Sequence, residues 1–368
     1  MRRIFAQTRK ELTQITRDRL ALTLALFLPL ALLVLLGTSI SLTVTDMALV
    51  VQDLDDSQAS HDFIDSFRAS TTFHVVSWPP DRQPEVALRD SRARGALIIP
   101  EHFGRDLARG VNTSVQLLVD GTDSNTAKLV QGYTGEIVRA YAARTSGAIR
   151  VDPVVAQVRL WFNPGRVSKK FYGPGIFVLG LSMFPPLLAA LAMSKEGEEK
   201  TILQVYVSNI SAHEFLLGKI FAFMIIALGE MCVNSIALFT YFGLHLTGDP
   251  TPFLVATILY VFCVSTFGTL VGAAIPNQAA AIQAVALGGF LLVFLLSGLI
   301  FPVANIPDAL RWISSIVWGR YYIEIVRDAL LKGGGWSANW FSVLMIAAIG
   351  SFFYLIAWRN MRRMQLKA

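Results

Sequence analysis

The sequence is poor in charged residues and in cysteine. Only 16% of its residues are charged and 54% are hydrophobic, whereas about one-quarter of the residues in a soluble domain are charged. This composition predicts that membrane lipid surrounds much of the chain. The two cysteines, Cys232 and Cys263, lie in apolar runs with no second cysteine or histidine at metal-ligand spacing. We therefore expect small core residues there rather than metal ligands.

Several catalytic motifs are also missing. The sequence contains no phosphate-binding loop of the form Gly-x-x-x-x-Gly-Lys-Ser/Thr, no Gly-x-Ser-x-Gly nucleophile elbow and no His-Glu-x-x-His zinc helix. Its five histidines are scattered over three regions. We predict that the chain is not an enzyme, has no catalytic or metal site, and holds no cofactor of its own.

The positive charge lies at the two ends of the chain. The net charge is +6, yet residues 46–170 contain equal numbers of basic and acidic side chains. That balance offers no basic face to nucleic acid, so nucleic-acid binding is excluded as a function. Basic residues dominate the amphipathic segment 1–19 and the tail 359–368. By the positive-inside rule, both termini are expected in the cytoplasm.

Uncharged runs long enough to cross a ~30 Å hydrocarbon core predict six transmembrane helices. We place them at 20–44, 171–193, 220–244, 253–275, 279–301 and 340–358. An even number of spans agrees with two termini on one side. The first run is too long for the apolar core of a cleaved signal peptide, so we expect a retained anchor.

Residues 45–170 predict a folded extracytoplasmic α/β domain inserted between the first and second spans. Strand-like stretches alternate with helical ones, and the strands are expected at 47–51, 73–78, 95–99 and 115–119. N-cap residues for two helices stand at Asp55, Asp56, Ser57, Thr122 and Asp123. An extended piece, 154–162, then leads to the turn at Asn163-Pro164. The predicted fold class is an all-α bundle of six transmembrane helices with this inserted domain.

Glu230 is the ionisable residue that falls inside a predicted span, and Asn234 lies one turn farther along the same helical face. A carboxylate in lipid is costly, which makes it a functional candidate. The pair can line a translocation path or a dimer seam, or it can hold helices together as a structural element. The sequence leaves both interpretations open.

A charged, helix-prone segment, 194–219, connects the second and third spans. Its polar candidates are Lys195, Glu196, Glu198, Glu199, Lys200 and Thr201. It is either a solvated loop or a docking helix for a cytoplasmic motor. A second unusual segment, 302–335, is amphipathic and rich in aromatic residues, which predicts short helices at the membrane interface.

In the order of these parts the chain resembles the permeases of type-2 ABC exporters, in particular multidrug-type subunits with a large extracytoplasmic domain. The motifs that carry the resemblance are Trp161-Phe162-Asn163-Pro164, Pro174-Gly175, Glu196 to Leu203, Gly218-Lys219, Ser297-Gly298, Pro302, Ile306-Pro307, Arg320-Tyr321-Tyr322 and Leu331-Lys332-Gly333. Two residues depart from the family pattern. Lys200 stands where the family usually has glycine, and Asn209 stands where it often has proline.

The resemblance implies a function and a set of partners. Segment 194–219 becomes a coupling loop that contacts a separate ATPase subunit, which binds ATP and Mg. A second permease, identical or paralogous, completes the membrane part, often with a periplasmic adaptor and an outer-membrane channel. The complex would export a drug-like, lipid-like or other small molecule across the bacterial inner membrane.

The resemblance also implies that 302–335 is a re-entrant segment, with candidate residues Pro302, Pro307, Arg320, Tyr321 and Arg327. The alternative function is a membrane-anchored receptor or scaffold, whose extracytoplasmic domain binds a ligand. Five further spans exceed what an anchor needs, so the exporter is the preferred interpretation.

Overall fold

The computed structural model describes residues 1–39, 46–79, 81–90, 92–121, 124–145, 162, 167–201, 210–300, 303 and 306–364. The chain forms two compact units. The helical unit comprises Met1–Ser41 and Leu160–Ala368, and the α/β unit comprises Leu42–Arg159. In sequence, the α/β unit is therefore an insertion into the helical unit.

The helical unit begins with α1 (Arg2–Arg17) and α2 (Arg19–Ser39). Helix α2 is apolar around most of its circumference, and only one stripe of it is buried, formed by Ala25, Pro29, Leu33 and Gly37. The stripe repeats every four residues, as one face of an α-helix does. Its glycine permits a close approach, because a Cβ at Gly37 would lie 2.6 Å from the ring of Phe242.

The α/β unit consists of a four-stranded sheet and its connecting helices. In chain order its elements are β1 (Met47–Asp53), α3 (Gln58–Arg68), β2 (Phe73–Ser77), α4 (Glu85–Arg89), β3 (Gly95–Ile99), α5 (Phe103–Ala108), β4 (Gln116–Val119) and α6 (Ser124–Thr145). The strand order is β2-β1-β3-β4. Strand β1 is parallel to β2 and β3, with Leu49 opposite Val75 and Gly95, and β4 is antiparallel to β3. Strands stand at all four predicted places.

Alternating apolar residues explain why this sheet has a core. Leu49, Val51 and Leu97 point from the central strands into one apolar cluster, where they meet Phe63 and Phe67 of α3. Ser57 begins α3 with a capping box, in which its hydroxyl accepts from the backbone N–H of Ser60. The predicted caps Thr122 and Asp123, the extended piece 154–162 apart from residue 162, and the turn at Asn163-Pro164 lie outside the described residues.

The described residues of the helical unit continue through seven further helices. They are α7 (Ser168–Glu198), α8 (Ala212–Thr240), α9 (Thr251–Ala274), α10 (Gln278–Leu296), α11 (Asp308–Ser314), α12 (Trp318–Arg327) and α13 (Gly335–Met364). Helix α10 contains a π-helical turn at Ala286–Leu291, and α12 continues into another at Asp328–Lys332. Among the described residues, six helices are long and apolar enough to cross a membrane: α2, α7, α8, α9, α10 and α13. Six spans were predicted, and the number is confirmed.

Helix α7 is the centre of the helical unit, and α9 packs closely against it. A Cβ at Gly272 of α9 would come 2.8 Å from the Cβ of Met193, so small residues set the separation of the two helices. Polar contacts add to this packing. The hydroxyl groups of Ser182 and Tyr260 lie 2.5 Å apart, and the Tyr260 ring stacks on Tyr322 of α12 at 4.0 Å.

Candidate functional site

A buried cluster of charged side chains joins three helices at the end of the bundle where the chain begins. Lys219, at the start of α8, is completely buried, and Glu11 of α1 is 2% exposed. The Lys219 ammonium lies 3.0 Å from Glu11 Oε1 and 3.1 Å from Glu196 Oε1, near the end of α7. One buried cation thus pairs with carboxylates from two other helices. Together with Lys10, these residues form a group that we call the charge cluster: Lys219, Glu11, Glu196 and Lys10.

Lys10 completes the charge cluster from its more exposed side. Its ammonium lies 3.0 Å from Glu196 Oε1 and 3.4 Å from Glu11 Oε1. Burial of the Lys10 ammonium opposes its charge, but the hydrogen bond and the charge of Glu196, followed by those of Glu11, outweigh this and raise its pKa. Two cations and two carboxylates therefore balance, and a balanced set is what makes burial tolerable.

Local sequence brings α1 and α8 close enough for these contacts. A Cβ at Gly218 would lie 2.6 Å from side-chain carbons of Gln7, so glycine lets the helices touch. Thr8 Oγ1 donates to the Gly218 carbonyl at 2.9 Å, and Gln7 Nε2 donates to Glu11 Oε1 at 2.9 Å. Helix α8 starts at a capping box between Ser211 and Glu214. The Gly218-Lys219 motif is therefore the point where α1 rests on α8.

The predicted coupling residues lie at the end of α7, which continues as helix through Glu198. The side chain of Glu196 is 13% exposed and points into the charge cluster. Glu198 Oε2 accepts from the backbone N–H and the side-chain amide of Gln278, at 3.1 and 3.0 Å, and so binds the start of α10. Lys195 and Glu199 are exposed and form an i,i+4 pair at 3.8 Å. Glu196 and the exposed Glu198 thus hold neighbouring helices, whereas Lys195, Glu199 and Lys200 are exposed and face outward.

The turn that ends α7 explains why the family usually has glycine at the position of Lys200. Its φ angle is +57°, in the left-handed region that glycine adopts without steric cost. Thr201 Oγ1 donates to the Glu196 carbonyl at 3.3 Å and closes the turn. The part of the coupling loop at 202–209, including Asn209, lies outside the described residues.

Glu230 and Asn234 are buried inside the chain, each 1% exposed. Among the residues that the structure describes, Glu230 Oε1 and Asn234 Oδ1 have no hydrogen-bond partner. Both face the contact of three helices: a Cβ at Gly180 of α7 would lie 3.3 Å from Glu230 Oε1 and 3.3 Å from the Cβ of Pro29 in α2. A buried polar atom without a hydrogen bond costs free energy, so this pair lowers the stability of the folded chain.

The segment predicted to be re-entrant contains α11 and α12. Pro307 is the N-cap of α11, while Pro302 lies outside the described residues. Tyr321 donates its hydroxyl to the Ser315 carbonyl at 2.7 Å, and Arg320 Nη1 donates to Ser315 Oγ at 3.2 Å. These contacts fix α12 against the turn that follows α11.

Arg327 anchors α12 to the end of α10. Its Nη1 donates to the Gly298 carbonyl at 2.9 Å, and its guanidinium lies 4.3 Å from the centre of the Phe171 ring. Gly298 has a φ of +85°, as expected just after a helix ends. Arg327 therefore satisfies a backbone carbonyl that the end of α10 leaves free.

The α/β unit holds another cluster of titratable side chains. His61 Nε2 lies 3.0 Å from Asp56 Oδ1 and 3.9 Å from Asp53 Oδ2. No spacing motif in the sequence indicates this group, whose members come from the end of β1 (Asp53), the turn after it (Asp56) and α3 (His61). Asp53 also accepts from Ser60 Oγ at 2.6 Å.

Comparison with known proteins decides what this architecture is. The model of the ABC-2 family transporter protein matches residues 20–359, which overlap each of the six candidate spans among the described residues. The chain belongs to the ABC-2 transporter family. It is 26% identical to the probable multidrug ABC transporter permease YbhS of Escherichia coli (strain K12) over 98% of this chain and 97% of that protein.

Two further relatives are also named as permeases. The probable multidrug ABC transporter permease YbhR of E. coli (strain K12) is 25% identical over 96% of this chain and 97% of its own length. The inner membrane transport permease YhhJ of the same strain is 24% identical over 99% and 98%. The chain is thus a multi-pass membrane permease of an ABC transporter, a subunit that is not itself an enzyme. Family membership implies an ABC ATPase partner and a permease partner.

Sequence reasoning missed Glu11 and Lys10 of this permease. Both lie in a segment that was predicted only to be basic and amphipathic. One signal was present: Glu11 is the single acidic residue of α1. An acidic side chain on an otherwise basic helix indicates a local cationic partner, but nothing in the sequence names Lys219 as that partner.

Proposed function

We propose that this permease exports a small amphipathic molecule, drug-like or lipid-like, from the cytoplasm with energy from a separate ATPase subunit. It works in the bacterial inner membrane beside a second permease, with both termini in the cytoplasm and the α/β unit outside. A periplasmic adaptor and an outer-membrane channel extend the path. The names of the multidrug permeases YbhS and YbhR support the substrate class.

The observation that carries this proposal is the division of polar residues at the end of α7. Glu196 and Glu198 bind α1, α8 and α10, so a push on this end reaches four helices. Lys195, Glu199 and Lys200 are exposed beside them and face outward. We assign these outward three to contact with the ATPase, and Glu196 and Glu198 to passing its movement into the bundle.

The test replaces the outward set. A Lys195→Ala, Glu199→Ala, Lys200→Ala variant should weaken assembly with the ATPase by about tenfold, the equivalent of about 1.4 kcal/mol, because exposed charges at an interface steer and orient the partner. Permease abundance in the membrane should stay normal, since these side chains hold no buried contact. Co-purification of the ATPase and ATP hydrolysis by the complex are the measurements.

A matched control removes the same charges elsewhere. Asp308→Ala, Arg311→Ala, Lys332→Ala also deletes one acidic and two basic side chains, but in the segment between the fifth and sixth spans. That variant should assemble normally. Wild-type assembly and hydrolysis in the Lys195, Glu199, Lys200 variant would refute the proposed docking site.

A further inference from the structure

Helix α1 buries polar residues while part of its apolar face stays exposed, although Leu12 and Ile15 pack partly against the cluster of Ala189, Phe223 and Ile226. The residues that it buries are Gln7, Thr8 and Glu11. In contrast, Met1 is 97% exposed and Phe5 is 72% exposed. A helix of a soluble protein turns its apolar stripe to the core. An exposed apolar face beside a membrane-spanning helix is suited to lipid.

A groove of about 810 Å³ lies between α1 and α8. Ile4, Phe5 and Leu12 form one wall, and Met224, Ile225 and Leu228 form the other. Ile225 is 50% exposed, on the outer face of a helix that crosses the membrane. The groove is therefore apolar, elongated along both helices, and open on the side where acyl chains would lie.

A second, open cavity of about 670 Å³ lies along α1 beside this groove, and its lining includes basic side chains as well as Phe5 and Ala6. Phe5, Arg9 and Thr13 line both, so the two spaces share a wall. The second cavity is lined by Arg9, Lys10 and Arg17, and no acidic side chain lines it. Lys10 is engaged by Glu196, and no acidic partner is recorded for Arg9 or Arg17 within the described part of the chain. Arg9 therefore lies beside the middle of the apolar groove, and Arg17 lies one residue beyond Thr16, the last residue of α1 that lines it.

We propose that this bipartite site binds an anionic phospholipid, with an acyl chain in the groove and the phosphate headgroup at Arg9 and Arg17. The apolar groove suits the acyl chain, and the two arginines suit the negatively charged headgroup. Basic residues at a membrane surface attract anionic headgroups, and buried methylene groups add affinity in proportion to their number. Because α1 also carries Glu11 and Lys10 of the charge cluster, the bound lipid holds α1 against α8.

The experiment is native mass spectrometry on the full chain purified in detergent, with phosphatidylglycerol or phosphatidylcholine of the same acyl length. The wild-type chain should retain phosphatidylglycerol in preference to phosphatidylcholine. An Arg9→Gln, Arg17→Gln variant should retain about tenfold less phosphatidylglycerol, because each basic residue near the headgroup contributes separately. An Arg9→Lys, Arg17→Lys variant keeps the charge and should retain most of the binding.

Matched controls separate the site from general charge and general hydrophobicity. Arg359→Gln, Arg362→Gln removes two basic residues from α13 and should leave retention unchanged. Ile225→Trp fills the groove and should lower retention, whereas Ile236→Trp, on the same helix outside the groove, should not. Equal retention of the two lipids by the wild-type chain, or equal losses in the control variants, would overturn the proposal.

Discussion

Replacing Lys219 by methionine should destabilise the permease by about 3–5 kcal/mol, the usual cost of breaking a buried ion pair from one side. Lys219 is completely buried and neutralises Glu11 and Glu196 at 3.0 and 3.1 Å. Without it, one carboxylate remains at 2% exposure with little solvation. Thermal unfolding of the purified chain and its abundance in the membrane should both fall sharply.

The double variant Glu11→Gln, Lys219→Met distinguishes ionic pairing from loss of packing. Removing both charges leaves no uncompensated ion at the α1–α8 contact, so much of the lost stability should return. Lys195→Met serves as a surface control, because its pair with Glu199 is exposed and worth about 0–1 kcal/mol. If the double variant is as unstable as Lys219→Met alone, charge pairing is not what holds these helices together.

Substitution of Glu230 should affect transport far more than stability. Glu230 Oε1 and Asn234 Oδ1 are buried without hydrogen-bond partners in the described part of the chain, so Glu230→Leu removes a polar group that the packing there does not satisfy. Exchanging such a group for an apolar side chain of similar size is often neutral or stabilising. We therefore expect normal abundance of Glu230→Leu in the membrane, together with a loss of export of at least about tenfold.

The readout for Glu230 is efflux of a lipophilic cation that the wild-type complex is first shown to move, with membrane abundance measured in parallel. Glu230→Gln keeps the size and removes the charge, so it should also reduce export if the carboxylate serves the path. Ile236→Leu, on the lipid-exposed side of the same helix, is the control. Normal export by Glu230→Leu would exclude a role in the path, and low abundance of that variant would indicate a structural role instead.

Hydropathy was sufficient to predict the six spans, but backbone hydrogen bonding, helix propensity and capping set where the helices end. The second span was expected to end at residue 193, where charge begins, yet α7 continues to Glu198. Helix continuation depends on backbone hydrogen bonds and local propensity, which Lys195, Glu196 and Glu198 satisfy. Helix α8 likewise starts before its apolar run, at the capping box of Ser211 and Glu214. That signal is visible in the sequence as Ser-x-x-Glu.

The strands of the α/β unit were predictable because each is short, apolar and bounded by turn residues. The charge cluster was not, since Glu11 and Lys219 are separated by 208 positions and meet only after three helices have packed. Charge counting identified Glu196 as a surface candidate, but a carboxylate at the end of a helix can point inward or outward. Only tertiary packing sets that direction. For the same reason, Glu198 binds Gln278 whereas Glu199 pairs with Lys195, although both carboxylates are exposed.

We propose that the outward residues at the end of α7, Lys195, Glu199 and Lys200, dock a separate ATPase. This docking can be tested by photo-crosslinking in membranes that contain the whole transporter. The background Cys232→Ser, Cys263→Ala removes both native thiols. A benzophenone maleimide is then attached to Glu199→Cys or, as a control, to Asp308→Cys. We expect an adduct between the permease and the ATPase from position 199 and none from position 308. Equal labelling and abundance with no ATPase adduct from position 199 would contradict it.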